Sequence, residues 1–106
     1  MNDCVFCKIV KGEIQTDKEV DMERIVVFAD ANPKTRLHLL IVPKKHITDI
    51  TDDSEGIWAE IGEVAKNLAI SHSLSGFRLV HNAGAAAEVK HMHVHFLGGV
   101  EVEREI

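Results

Sequence analysis

The stretch His91-Met92-His93-Val94-His95-Phe96-Leu97-Gly98-Gly99 constrains this chain more than any other. Successive side chains of an extended strand point to opposite faces, so His91, His93 and His95 share one face while Met92, Val94 and Phe96 share the other. One face is built to pack and the other carries imidazoles that can do chemistry.

The rest of the chain supplies elements for such a strand to join. Val5, Phe6, Ile9 and Val10 have helical spacing, and Gly12 follows as a stop, which predicts a short helix. Val20 and Met22 alternate weakly. Ile25-Val26-Val27-Phe28-Ala29 is a compact, mostly β-branched run ended by the turn chemistry of Asp30-Ala31-Asn32-Pro33, so these two segments read as a hairpin. Residues 37–42 form a third strand closed by Pro43, and residues 44–46 a loop. One long helix is expected from about Asp52, with Glu55 completing a capping box, and Ile57, Trp58, Ile61, Val64, Ala65, Leu68 and Ala69 forming its buried stripe. Residues 77–82 read as a fourth strand, and the loop 83–90 leads into the histidine strand. Strands on both sides of one helix predict an α+β domain with a mainly antiparallel sheet rather than repeated βαβ units. The tail, residues 101–106, alternates charged and apolar residues and reads as either an edge strand or a frayed end.

Length and composition narrow the function classes. A chain of 106 residues fits a single domain spanning 1–106, and 45% hydrophobic with 27% charged residues is a composition that folds. A formal net charge of -5 argues against nucleic acid as a partner, since a phosphate-backbone binder shows a basic stripe. No run approaches the roughly 18 to 20 apolar residues that span a bilayer. The opening Met1-Asn2-Asp3-Cys4 lacks the regions of a signal peptide, so the expectation is a cytoplasmic protein without a membrane partner. In that reducing setting Cys4 and Cys7 point to metal binding or redox chemistry rather than a structural disulfide.

The three histidines admit several readings. They can act as metal ligands, but residues two apart on a strand are separated by about 6.6 to 6.8 Å, so all three meeting one ion needs a bent strand. They can supply a nucleophilic imidazole with a neighbour that handles protons. They can also be a solvated strand face. Cys4 and Cys7 offer half of a tetrahedral zinc site that histidines can complete; a thioredoxin-like redox pair, or two idle cysteines, are the alternatives.

Taken together, these segments resemble the histidine triad (HIT) superfamily, in its Hint-like, zinc-containing nucleotide hydrolase branch. The likeness covers nearly the whole chain: the His-x-His-x-His-x-x pattern from His91 to Leu97, the segment Cys4-Val5-Phe6-Cys7 running on to Ile14, the turn Phe28-Ala29-Asp30-Ala31-Asn32-Pro33, and His38-Leu39-Leu40-Ile41-Val42-Pro43-Lys44-Lys45-His46. The resemblance implies a five-stranded antiparallel sheet with one long and one short helix, a homodimer, and a purine nucleotide or nucleotide conjugate as ligand. It implies structural Zn2+ held by Cys4, Cys7, His46 and His91. It implies His93 as the nucleophile that attacks the α-phosphorus and forms a nucleotidyl-histidine intermediate, with His95 contacting phosphate and moving protons and His38 supporting them. The nucleotide would meet Phe6, Ile9, Ile14, Phe28 and Ala31 at the base, Asp30 at the ribose, and Asn82, Ala87 and Glu88 near the phosphate. His72 and His81 match no functional position and read as surface or loop residues.

The loop before the triad departs from the family pattern. Members commonly carry Gly-Gln-Ser or Gly-Gln-Thr where this chain has Ala86-Ala87-Glu88, and the loop is about two residues shorter. The amides of Ala86 and Ala87 remain as donors, whereas the Glu88 carboxylate would repel a phosphate. Lys90, if adjacent residues alternate faces, does not offset that charge. Three readings follow: a zinc-containing nucleotide hydrolase or transferase, a nucleotide-binding module with weak or no turnover, and an unrelated hydrolase in which two triad histidines hold a catalytic metal.

Overall fold

The structure is a computed structural model that describes residues 4–102. Most of the tail 101–106, from residue 103 onward, lies outside the described residues. The element order is α1 (Val5–Val10), β1 (Lys18–Asp21), β2 (Ile25–Ala29), β3 (Leu37–Pro43), a 3-10 turn (Ile50–Asp52), α2 (Ile57–Ser71), β4 (Phe77–Val80), a second 3-10 turn (Gly84–Ala86) and β5 (Val94–Gly98). All the strand pairings are antiparallel, in the order β1-β2-β3-β5-β4. This is the α+β architecture expected, with one long helix and one short.

The last strand inserts between β3 and β4, with Ile41 opposite Val94 on one side and Val80 opposite His95 on the other. Its two faces divide as the alternation requires. Met92, Val94 and Phe96 join Ile25, Val27, Leu39 and Ile41 beneath Ile57, Ile61, Val64 and Leu68 of α2. On the opposite face, Phe6 and Ile9 of α1 pack on Val26, Phe28, Leu40 and Val42. Because helices cover both faces of β2 and β3, β2 and the stretch of β3 after His38 are unbroken apolar runs rather than alternating ones.

Several boundaries differ from the sequence-based expectation. The α2 helix begins at Ile57, after Gly56 in the left-handed region (φ 73°), rather than near Asp52. The Asp53 carboxylate performs the capping: it accepts from the backbone N–H of Glu55 (3.1 Å), Ile57 (3.0 Å) and Trp58 (2.9 Å). No Asp52–Glu55 box forms, because Glu55 is turned to Lys45. Trp58 falls at the margin of the apolar stripe and is 44% exposed. The fourth strand stops at Val80, and the ladder of the fifth starts only at Val94, so His91 and His93 precede the paired segment. No helix among the described residues is long and apolar enough to cross a membrane.

Candidate functional site

The face carrying α1 also carries the candidate site, which has two adjoining parts. In the first, Cys4 caps the amino end of α1 and Cys7 lies one turn on, so both thiols point to the same side of the helix. His46 follows β3 and His91 precedes β5, and the sheet brings them to these thiols. Cys4 Sγ lies 3.2 Å from His91 Nδ1, Cys7 Sγ lies 3.1 Å from His46 Nδ1 and 3.5 Å from His91 Nδ1, and the two Nδ1 atoms are 3.1 Å apart.

Ligands on a tetrahedral zinc, with Zn–S of about 2.3 Å and Zn–N of about 2.0 to 2.1 Å, stand about 3.3 to 3.8 Å from one another. The four donor atoms here all lie within 4.8 Å of each other, so the donor set and its spacing fit zinc. The His91 tautomer fits as well. Its Nε2–H donates to the Pro43 carbonyl at 2.8 Å, which leaves the Nδ1 lone pair facing the sulfurs. Burial holds the His91 imidazole below its ordinary pKa, which keeps it in the neutral form a metal requires. Burial also raises the Cys4 thiol, a shift that a bound cation reverses.

The second part lies beside it. His93 is buried, with its ring centroid 5.0 Å from that of Phe6 and 5.2 Å from that of His95. Its Nδ1–H donates to the His91 carbonyl at 2.7 Å, so Nε2 carries the free lone pair. His38 on β3 accepts from the Lys34 backbone N–H at Nδ1 (2.9 Å), so its Nε2 bears the proton and donates it to His95 Nδ1 at 2.9 Å. His95 is thereby left with an Nε2–H donor. Asp30 Oδ2 sits 3.4 Å from His38 Nε2 and 3.9 Å from His95 Nδ1, while its Oδ1 accepts from Asn32 N. Asp30 is therefore both turn-former and site residue. Burial holds both His38 and His95 below the ordinary imidazole pKa.

Although Asp30, His38 and His95 also converge, they make a poor metal cage. With His38 Nδ1 accepting from Lys34, its Nε2 has no lone pair to give. Moreover, no two of the three triad histidines fall in one cluster of potential metal ligands among the described residues. The catalytic-metal reading thus lacks the geometry it needs.

A cleft lined by Asp30, His38, Asn82, Glu88 and His95 opens on this face. Phe6, Ile9 and Phe28 are packed together and buried beside it. Ile14, at 37% exposed, and Ala31, also exposed, stand outside that core. The loop before the triad behaves differently from the expectation. Ala86 N–H donates to the Ala83 carbonyl and Ala87 N–H to the Gly84 carbonyl, so a 3-10 turn consumes both amides. Lys90 reaches back to the Gly84 and Ala87 carbonyls, at 2.7 Å each, because residue 90 lies outside the strand and is not bound by its alternation.

His72 lies on the surface beside Glu19, as expected. His81 does not: it is half-buried, accepts from Ile50 N–H at Nε2 (3.1 Å) and donates from Nδ1 to the His93 carbonyl (3.0 Å). Nothing in the local sequence separates it from a surface histidine, because its partners are 12 and 31 residues away.

Comparison with known proteins matches this fold over nearly the whole chain. The family profile described as "Scavenger mRNA decapping enzyme C-term binding" matches residues 3–103. A protein of Helicobacter pylori described as an uncharacterized HIT-like protein is 39% identical over 101 residues, covering 90% of this chain and 95% of that one. Among solved structures, a HIT family hydrolase from Legionella pneumophila superposes with a TM-score of 0.86 at 42% identity, covering 93% of this chain and 95% of that one. A zinc-bound histidine triad family protein from Mycobacterium smegmatis superposes with a TM-score of 0.85 at 28% identity, covering 96% and 78%.

Proposed function

The chain belongs to the histidine triad (HIT) family, and from that premise we propose that it is a nucleotide hydrolase or transferase acting at the α-phosphate of purine nucleotide conjugates, such as nucleoside phosphoramidates. The observation that carries this reading is the His93 hydrogen bond: with Nδ1–H committed to the His91 carbonyl, the lone pair of the neutral ring is on Nε2, the nitrogen left to act as nucleophile.

In the proposed reaction His93 Nε2 forms a bond to the α-phosphorus as the bond to the leaving amine breaks. The ring becomes cationic, and its Nδ1–H, already held by a carbonyl oxygen, stabilises that charge. The Nε2–H of His95 donates a hydrogen bond to the phosphate oxygens, and the leaving amine takes its proton from solvent. His38 keeps the proton on that nitrogen by occupying Nδ1, and the Asp30 carboxylate lies beside both rings. Water then attacks phosphorus, releasing nucleoside monophosphate and free His93. The nucleotide would lie across the cleft, with Asp30 and Asn82 toward ribose and phosphate, and with Phe6, Ile9 and Phe28 backing the base while Ile14 and Ala31 flank it.

Zinc, held by Cys4, Cys7, His46 and His91, would act as a structural cross-link between the amino terminus and the residues leading into the triad. A homodimer is part of the same reading. It is supported by the outer edge of β4 and the adjoining α2 surface, where Phe77 and Leu79 stand 41% and 44% exposed beside Ile70 at 68%.

A second reading, a nucleotide-binding module with weak turnover, is favoured by the consumed amides of Ala86 and Ala87 and by the exposed Glu88 carboxylate at the cleft. One experiment separates the two: intact mass spectrometry after mixing with adenosine 5′-phosphoramidate. The hydrolase reading expects a transient adenylyl adduct on the wild type, none on His93→Ala, and equal zinc content in both. AMP binding with neither adduct nor turnover would instead support the binding module.

A further inference from the structure

The main-chain ladder of the sheet does not reach the proposed nucleophile. Pairing of β5 with β3 begins at Val94, and pairing with β4 begins at His95 opposite Val80. Continued by two residues, the β4 register would set residue 82 opposite residue 93, but the chain leaves the sheet after Val80. Among the described residues, two hydrogen bonds from other segments hold the backbone just before the ladder. Met92 N–H donates to the Ile47 carbonyl at 2.7 Å, and the His93 carbonyl accepts from His81 Nδ1–H at 3.0 Å.

His81 is itself fixed at its far nitrogen. Nε2 accepts from Ile50 N–H, and Ile50 opens a 3-10 turn stapled by Asp49, whose carboxylate accepts from Thr51 N–H, Thr51 Oγ1–H and Gly84 N–H. The Trp58 ring packs against the imidazole, tilted by 48° at a centroid distance of 5.7 Å. With one nitrogen accepting and the other donating, a single neutral tautomer satisfies both partners.

We propose that His81 is a positioning residue for the triad: its imidazole supplies the hydrogen bond that the sheet does not make at His93, and so fixes the backbone from which the nucleophile hangs. The proposal rests on the reading of His93 as the nucleophile. A shift of about 1 Å at a reacting group costs about 100-fold in rate, so a backbone tether two bonds from the His93 Cα has a kinetic consequence that a surface histidine lacks.

The test is steady-state hydrolysis of adenosine 5′-phosphoramidate by the full chain, with zinc content and thermal melting measured for each variant. His81→Leu, which keeps the packing against Trp58 and loses both hydrogen bonds, is expected to lower kcat by about 10- to 100-fold with KM and zinc content unchanged. His81→Gln carries one donor and one acceptor on its amide and is expected to recover most of kcat. A folded His81→Leu variant with wild-type kcat overturns the proposal, as does a folded His81→Gln variant no better than His81→Leu. If the leucine variant does not fold, the glutamine variant decides alone: retained kcat supports the tether, and a folded protein without turnover sinks it. His93→Ala, run in parallel, separates the two ideas, because turnover in that variant would overturn the nucleophile assignment whatever His81 does.

Discussion

At the scale of single residues, the site is governed by which nitrogen of each imidazole carries the proton. Backbone groups set these states: the Lys34 amide for His38, the His91 carbonyl for His93, the Pro43 carbonyl for His91, and Ile50 with the His93 carbonyl for His81. Burial reinforces them by holding His38 and His95 below the ordinary value of 6.5. The consequence for stability has a definite sign. Below pH 6.5 the unfolded chain binds protons that the native state does not, so stability present above that pH is lost as the pH falls toward the native values. Asp49 and Asp53 are held low by hydrogen bonds, from Thr51 and from the α2 amides respectively, and add their loss only below their ordinary 3.8. Thermal melts at fixed ionic strength, with zinc in excess, should therefore show Tm falling between pH 7 and pH 5.5. A flat profile there would contradict the neutral-histidine arrangement.

At the scale of elements, α1 has six residues, too few to be helical alone, so its place depends on tertiary packing. Phe6 provides much of that packing: it is 6% exposed, and its ring lies 5.7 Å from those of Phe28 and His91 and 5.0 Å from that of His93. Replacing it with alanine is expected to cost about 3 to 5 kcal/mol in denaturant unfolding, as for a buried aromatic elsewhere. A loss under about 1 kcal/mol would mean that the metal ligands alone hold α1 in place. The short helix and both apolar runs were legible because their spacing is local. The start of α2 was less so, since Asp52 with Glu55 three residues on reads as a capping box, whereas in the structure Asp53 accepts the first α2 amides after the left-handed turn at Gly56.

At the scale of the whole molecule, the position of β5 between β3 and β4 joins everything: α2 covers its core face, α1 packs on β2 and β3 from the other side of the sheet, and β4 forms the outer edge beyond it. Among the described residues no strand pairs with the outer side of β4, so Phe77 and Leu79 stand beside a main-chain row that a second copy can cover. Sedimentation velocity is expected to show a dimer, and Leu79→Lys combined with Ile70→Glu is expected to shift it to monomer while each chain stays folded. A monomeric wild type across the accessible concentration range would rule out this face as a stable self-interface.

What the sequence by itself determined is whatever depends on periodicity: the alternation that puts Met92, Val94 and Phe96 in the core, the apolar runs of β2 and β3, and the helical spacing that brings Cys4 and Cys7 to one side of α1. Motif resemblance also pointed to Cys4, Cys7, His46 and His91 as a group, and the fold brings their donor atoms together. Only the tertiary structure decided the hydrogen bonds that span long stretches of chain. His81 matches no functional position until the chain, leaving β4 after Val80, sets its ring against the His93 carbonyl, and Ala86 and Ala87 read as free donors until a 3-10 turn takes both amides. The physical reason is that side-chain spacing is set by backbone geometry over a few residues, whereas the partner of a polar group is set by whichever distant segment the core packs against it.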